Sequence, residues 1–158
     1  KKRQPLTDEQ IQALQQNCYQ TDDDLRWLVA LISDTGMRLA EAAGLKTSDI
    51  HLDDEHPYIE LKPYPHRRLK TKASTRVIPL VGASLWAAER LVETNQGEFC
   101  FPRYTNSETC NSNSASAAIN KWIKAIAGVD AVIHGLRHSL RDRLIYRDPP
   151  INPFMCTC

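Results

Sequence analysis

A change of hydrophobic period near Gly44 constrains the fold of this chain more than any other feature. Before it, apolar residues recur at helical spacing; after it, short β-type runs flanked by prolines take over. Thr7-Asp8-Glu9-Gln10 reads as a capping box opening a helix that turns Ile11, Leu14 and Cys18 inward. Asp22-Asp23-Asp24 starts a second helix, where acidic side chains suit the positive end of the helix dipole. Leu25, Leu28, Val29 and Ile32 give that helix one apolar face, and Gly36 suits its C′ position. A short third helix is expected from about Leu39 to Ala43, ending near Gly44.

His56 to Tyr64 and Arg76 to Leu80 then read as strands, with Pro63 and Pro65 marking a bend. Leu85 to Val92 returns to helix, and Asn95 to Ser116 is polar and loop-like apart from Phe99-Cys100-Phe101-Pro102. The next helix carries Ile119, Trp122, Ile123 and Ile126 as its apolar stripe, and the last carries Ile133, Leu136, Leu140 and Leu144. Pro149, Pro150 and Pro153 stop regular structure in the tail. The expected fold class is mixed α+β, mainly α, with a small antiparallel sheet, in one domain of 158 residues.

The net charge of +1 conceals an asymmetry. Residues 1–61 hold six Lys/Arg against twelve Asp/Glu, whereas residues 62–158 hold fourteen against seven. Such a division is compatible with a polyanion partner for the second part, and equally with two solvated faces of opposite sign. No run is long and apolar enough for a membrane span, and no secretory signal pattern is present. The five cysteines are odd in number and scattered, which suits a reducing, cytoplasmic location. Cys156 and Cys158 have one residue between them, short of zinc-site spacing, and there is no Gly-rich phosphate loop.

Three separated places carry candidate chemistry. In Thr35-Gly36-Met37-Arg38-Leu39-Ala40-Glu41, Arg38 follows a glycine turn and Glu41 lies one helical turn on, able to hold the guanidinium; a surface Arg–Glu pair is the plainer reading. Between the two strands, Arg67-Arg68-Leu69-Lys70-Thr71-Lys72 belongs to a stretch from Leu61 to Leu80 with six Lys/Arg and no acid. A lysine there can enter a nucleic-acid groove or deliver a proton, or the cations can simply keep an edge hairpin soluble. In His134-Gly135-Leu136-Arg137-His138-Ser139-Leu140-Arg141, the positions of His134, Arg137, His138 and Arg141 share one helix face. Guanidinium groups on such a face match phosphate oxygens in a two-pronged fork, while basic residues near a helix C-terminus also favour the dipole. His134 and His138 have metal-ligand spacing, but the glutamate of a zincin helix is lacking.

Taken in order, Thr-Gly-Met-Arg-Leu-x-Glu, then Lys-Thr-Lys-x-Ser-x-Arg-x-Ile-Pro-Leu, then His-x-Leu-Arg-His closely resembles the catalytic domain of tyrosine recombinases, the phage-integrase family, in its phage or prophage type. The resemblance covers residues 5–144 as an integrase-like catalytic domain and leaves 145–158 as an atypical proline-rich tail, with the family's N-terminal core-binding domain absent. It implies that Arg38 and Arg137 clamp the non-bridging oxygens of a scissile DNA phosphate, stabilising a five-coordinate phosphorus electrostatically. It implies that Lys70, with Lys72 as alternate, protonates the leaving 5′ oxygen, and that His134 transfers a proton and contacts the phosphate. Glu41 and His138 become supporting residues, and Arg67, Arg68, Lys72, Arg76 and Arg141 become DNA contacts.

The same resemblance implies site-specific DNA integration and recombination through a phosphotyrosine. The implied partners are a double-stranded attachment site and further recombinase protomers, without cofactor, essential metal or membrane, in the cytoplasm of a bacterial or phage-infected cell. Counted on from Arg137, the family's remaining His or Trp and its nucleophilic tyrosine both fall beyond Cys158, so an incomplete, cleavage-deficient chain is expected. Tyr146 is the one candidate substitute; nine residues past Arg137, a continuous helix carries it about 13 Å onward and half a turn away. Two alternatives stand beside this reading: a catalytically inactive DNA-binding remnant, and a metal-dependent hydrolase using His134 and His138.

Overall fold

The computed structural model describes residues 6–66, 75–94, 97–128, 133 and 135–137. Its elements are α1 (Asp8–Thr21), α2 (Asp24–Thr35), α3 (Leu39–Ala43), a 3-10 turn (Thr47–Asp49), β1 (Ile50–His51), β2 (Tyr58–Leu61), β3 (Arg76–Pro79), α4 (Gly82–Thr94) and α5 (Ser112–Ala127). Ile133 and Gly135 to Arg137 are helical again. Among the described residues no helix is long and apolar enough to cross a membrane.

Helix α2 forms the centre. Leu28, Val29, Ala30, Leu31 and Ile32 are all buried, because α1, α3, α4 and α5 pack around it. The local signals act as expected. Thr7 and Gln10 form the reciprocal capping box on α1, whose buried residues are Ile11, Leu14 and Cys18. Asp23 caps α2, and Gly36 ends it in the left-handed region at φ 71°.

The sheet is antiparallel in the order β1-β2-β3. Ile50 pairs with Ile59 and Ile59 with Ile78, which places three isoleucines side by side on the buried face. The strands are shorter than their apolar runs: β2 occupies only the middle of His56–Tyr64, and the two-residue β1 was not expected. α4 is longer than expected, starting at Gly82 because Asp34 accepts the Ala83 N–H at 2.8 Å, a cap supplied from the end of α2. On α5 the stripe is Ala115, Ile119 and Ile123, with Trp122 partly buried; Ile126 is 36% exposed and does not belong to it.

Two sets of long-range ties hold the later segments against the helical core. Cys100 N–H donates to Leu45 O and Thr47 N–H to Glu98 O, fastening the segment after α4 to the turn after α3. Asn120 of α5 accepts the N–H of Ile133 at 2.8 Å, and Ile133 and Leu136 are buried as their stripe requires. Leu140 and Leu144 lie outside the described residues. Burial pushes the thiols of Cys18 and Cys100 up to about 12, so neither supplies a thiolate near neutral pH.

Candidate phosphate-binding site

Arg38 is placed by the turn that ends α2. Gly36 takes the positive φ that other residues avoid, Thr35 Oγ1 donates back to Leu31 O at 2.7 Å, and the Met37 side chain is buried. The chain is thereby turned so that Arg38 stands at the N-cap of α3. Glu41, one turn further on, accepts the Arg38 backbone N–H at 2.8 Å through Oε1, stitching the first turn of the helix.

Glu41 was expected to hold the Arg38 guanidinium. It does so only loosely, at 3.6 Å, and among the described residues its main partner is Arg76 on β3. Nη1 and Nη2 of Arg76 donate to the two carboxylate oxygens at 3.1 and 3.2 Å, a bidentate pair. Glu41 is only 4% exposed. Burial alone would raise its carboxyl above the ordinary value; the hydrogen bonds from Arg76 and from the Arg38 backbone, with the charges of both arginines, outweigh it and hold the group lower. Arg76, expected as a DNA contact, is thus tied into the Arg38 turn while its side chain remains 31% exposed.

Arg137 arrives from the other end of the chain. Anchored through Ile133, Leu136 and the Asn120 hydrogen bond, it lines one shallow cleft with Arg38, over a floor of Ile32, Met37, Leu39 and Ile133. Partial burial, then the like charge of Arg38, lowers its hold on the proton, Glu41 opposes this, and Arg76 adds to it. Three guanidiniums therefore surround one carboxylate. Among the described residues Arg137 has no hydrogen-bond or ion-pair partner. An apolar floor lowers the local dielectric and strengthens attraction to an anion held between Arg38 and Arg137.

The described residues on either side of the basic stretch are fixed to α3 and its C-cap. On its N-terminal side His66 is buried, with Nε2 2.9 Å from Gly44 O, stacked on Tyr64 and edge-on to Phe99. The Tyr64 hydroxyl donates to the buried Asp49. On the C-terminal side Arg76 grips Glu41. Positions 67–74 are thus bracketed by two residues that both bond the α3 unit. Neither role is readable from the sequence, because each partner lies more than twenty positions away and no local period marks the pairing. Lys70, His134, His138, Arg67, Arg68, Lys72, Arg141 and Tyr146 lie outside the described residues.

None of the four described tyrosines lines the cleft. Tyr19 packs edge-on to Trp86, Tyr58 stacks on His51, Tyr64 bonds Asp49 and Tyr104 is buried in the core. Among the described residues no group of three or more His, Cys, Asp or Glu is arranged to hold a metal ion.

The sequence profile described as the phage integrase family matches residues 4–152. No curated protein matches the chain. Among solved structures, XerA recombinase is similar at a TM-score of 0.65 and 16% identity, with 89% of this chain and 49% of that one covered. The Tn1549 transposon integrase in complex with transposon right end DNA gives 0.63 and 17%, covering 91% and 54%. A lambda integrase dimer bound to a COC′ core site gives 0.61 and 18%, covering 93% and 42%. At these identities the likeness is one of fold, and the chain spans about half the length of those proteins.

Proposed function

The chain belongs to the phage integrase family, and from that premise we propose that it forms the phosphate-binding part of a site-specific DNA recombinase. Residues 5–144 serve as its catalytic domain. Arg38 and Arg137 hold the two non-bridging oxygens of the scissile phosphate and stabilise the charge that grows on them as phosphorus becomes five-coordinate. A tyrosine hydroxyl attacks phosphorus and forms a 3′-phosphotyrosyl bond while the 5′ oxygen departs. Lys70 supplies that oxygen with a proton, and His134 assists the transfer. Tyr19, Tyr58, Tyr64 and Tyr104 are not the attacking group, since each is engaged away from the cleft.

The observation that carries this reading is that Arg38 and Arg137, distant in sequence, line one cleft with an excess of positive charge. The partners are duplex DNA and further recombinase protomers, and the compartment is the cytoplasm of a bacterial or phage-infected cell. The metal-hydrolase reading has no support from the family to which the chain belongs.

The test is fluorescence anisotropy with a labelled DNA duplex over a range of salt. Affinity should fall steeply as salt rises, and reversing the charge with Arg38→Glu or Arg137→Glu should lower it by at least about tenfold at fixed salt. Salt-insensitive binding, or charge reversal without effect, refutes the proposal.

A further inference from the structure

One carboxylate serves two arginines, and it serves them unequally. Arg76 engages both Glu41 oxygens at 3.1 and 3.2 Å, whereas the Arg38 guanidinium stands at 3.6 Å, beyond hydrogen-bond distance. Arg38 bonds Glu41 only through its backbone N–H. We propose that Arg76 is a positioning residue that keeps the Glu41 carboxylate from closing on the Arg38 guanidinium, so that Arg38 remains available to a DNA phosphate. The inference rests on the proposed Arg38–Arg137 phosphate clamp.

The geometry makes the closure easy. Arg38 needs to approach Glu41 by only about 0.7 Å to form a full charge-assisted hydrogen bond. Glu41 is nearly inaccessible to solvent, and a buried carboxylate that loses a bidentate pair draws closer to a neighbouring cation, because weakly compensated buried charge is costly. Among the described residues that cation is Arg38, three positions before Glu41 on the same helical turn. A guanidinium held by a carboxylate has fewer N–H groups for a phosphate, and its charge is already neutralised. Arg76 has the right shape to prevent this: its planar fork satisfies both oxygens at once, which a lysine ammonium does not. Because Arg76 also opens β3, the same contact ties that strand to the clamp.

The experiment measures the affinity of the full chain for a labelled DNA duplex at fixed low salt. Arg76→Ala should weaken binding about tenfold. Arg76→Lys, which retains the charge, should weaken it by about threefold. Adding Glu41→Gln to either variant should restore affinity to within about twofold of Glu41→Gln alone, since the amide keeps the bond to the Arg38 N–H but no longer competes as an anion. Arg76→Lys binding like the unmodified chain, or double variants no tighter than the Arg76 single variants, would overturn the inference and make Arg76 a direct contact or a mere charge. Circular dichroism checks folding; if Arg76→Ala does not fold, the Arg76→Lys pair decides. Arg38→Ala is measured alongside: if it leaves affinity unchanged, the clamp itself fails and this inference with it. If Arg38→Ala weakens binding but the rescue is absent, only the role of Arg76 fails.

Discussion

Glu41 shows how one residue ties stability to the site. Burial opposes its charge, yet Arg76 and the Arg38 backbone hold it ionised, so its folded pKa lies below its unfolded one. Its contribution to stability is therefore complete above the ordinary glutamate value of about 4.3 and is lost as pH falls through the lower folded value. Urea unfolding at a series of pH values should show stability declining over that acidic window, and declining less in Glu41→Gln; parallel curves contradict the pairing. Gly82 is a second residue on which local structure depends. Its φ is +54°, and an added Cβ would lie 2.8 Å from Asp34 Oδ2, the atom that caps α4. Gly82→Ala combines backbone strain with displacement of that cap and should cost about 2 kcal/mol of unfolding free energy. A change within about 0.5 kcal/mol, the range of ordinary surface substitutions, would show that the turn relaxes freely.

At the scale of elements, what was legible is what local chemistry determines. The capping box at Thr7, the Asp23 cap and the Gly36 stop each work within a few residues, and α1, α2 and α3 fall where those signals put them. The ends of α4 and of β2 were not legible, because Asp34 caps α4 from a different helix and the pairing partner of Tyr58 is His51 in a strand of two residues. The site divides in the same way. Arg38 and Arg137 stood out as arginines in motifs, and both line the cleft. The Arg76–Glu41 pair spans 35 positions between a strand and a helix, and no spacing rule reaches that far. The attachment of the Arg137 segment also depends on a distant contact, from Ile133 N–H to Asn120 Oδ1. Asn120→Ala should cost about 1 kcal/mol in unfolding free energy. It should also weaken DNA binding severalfold, because Arg137 rides on that segment. Full DNA affinity in a destabilised Asn120→Ala would show that the segment is held in place without this bond.

At the scale of the molecule, the positive second part of the chain and the negative first part meet at one cleft. The acidic part contributes Arg38 and the carboxylate that braces it, and the basic part contributes Arg76 and Arg137. The fold brings Arg38 and Arg137, far apart in the sequence, together beside the core helix α2, which lines the cleft through Ile32. On the proposed function, Arg38 and Arg137 act on the same DNA phosphate. A double-mutant cycle of Arg38→Ala and Arg137→Ala, read as affinity for a DNA duplex at fixed salt, distinguishes a shared phosphate from two separate contacts. Each single variant should weaken binding about tenfold, and the double variant should lose clearly less than the product of the two, because residues sharing one ligand group are coupled. Losses that multiply, or a single variant that binds like the unmodified chain, would contradict the shared clamp.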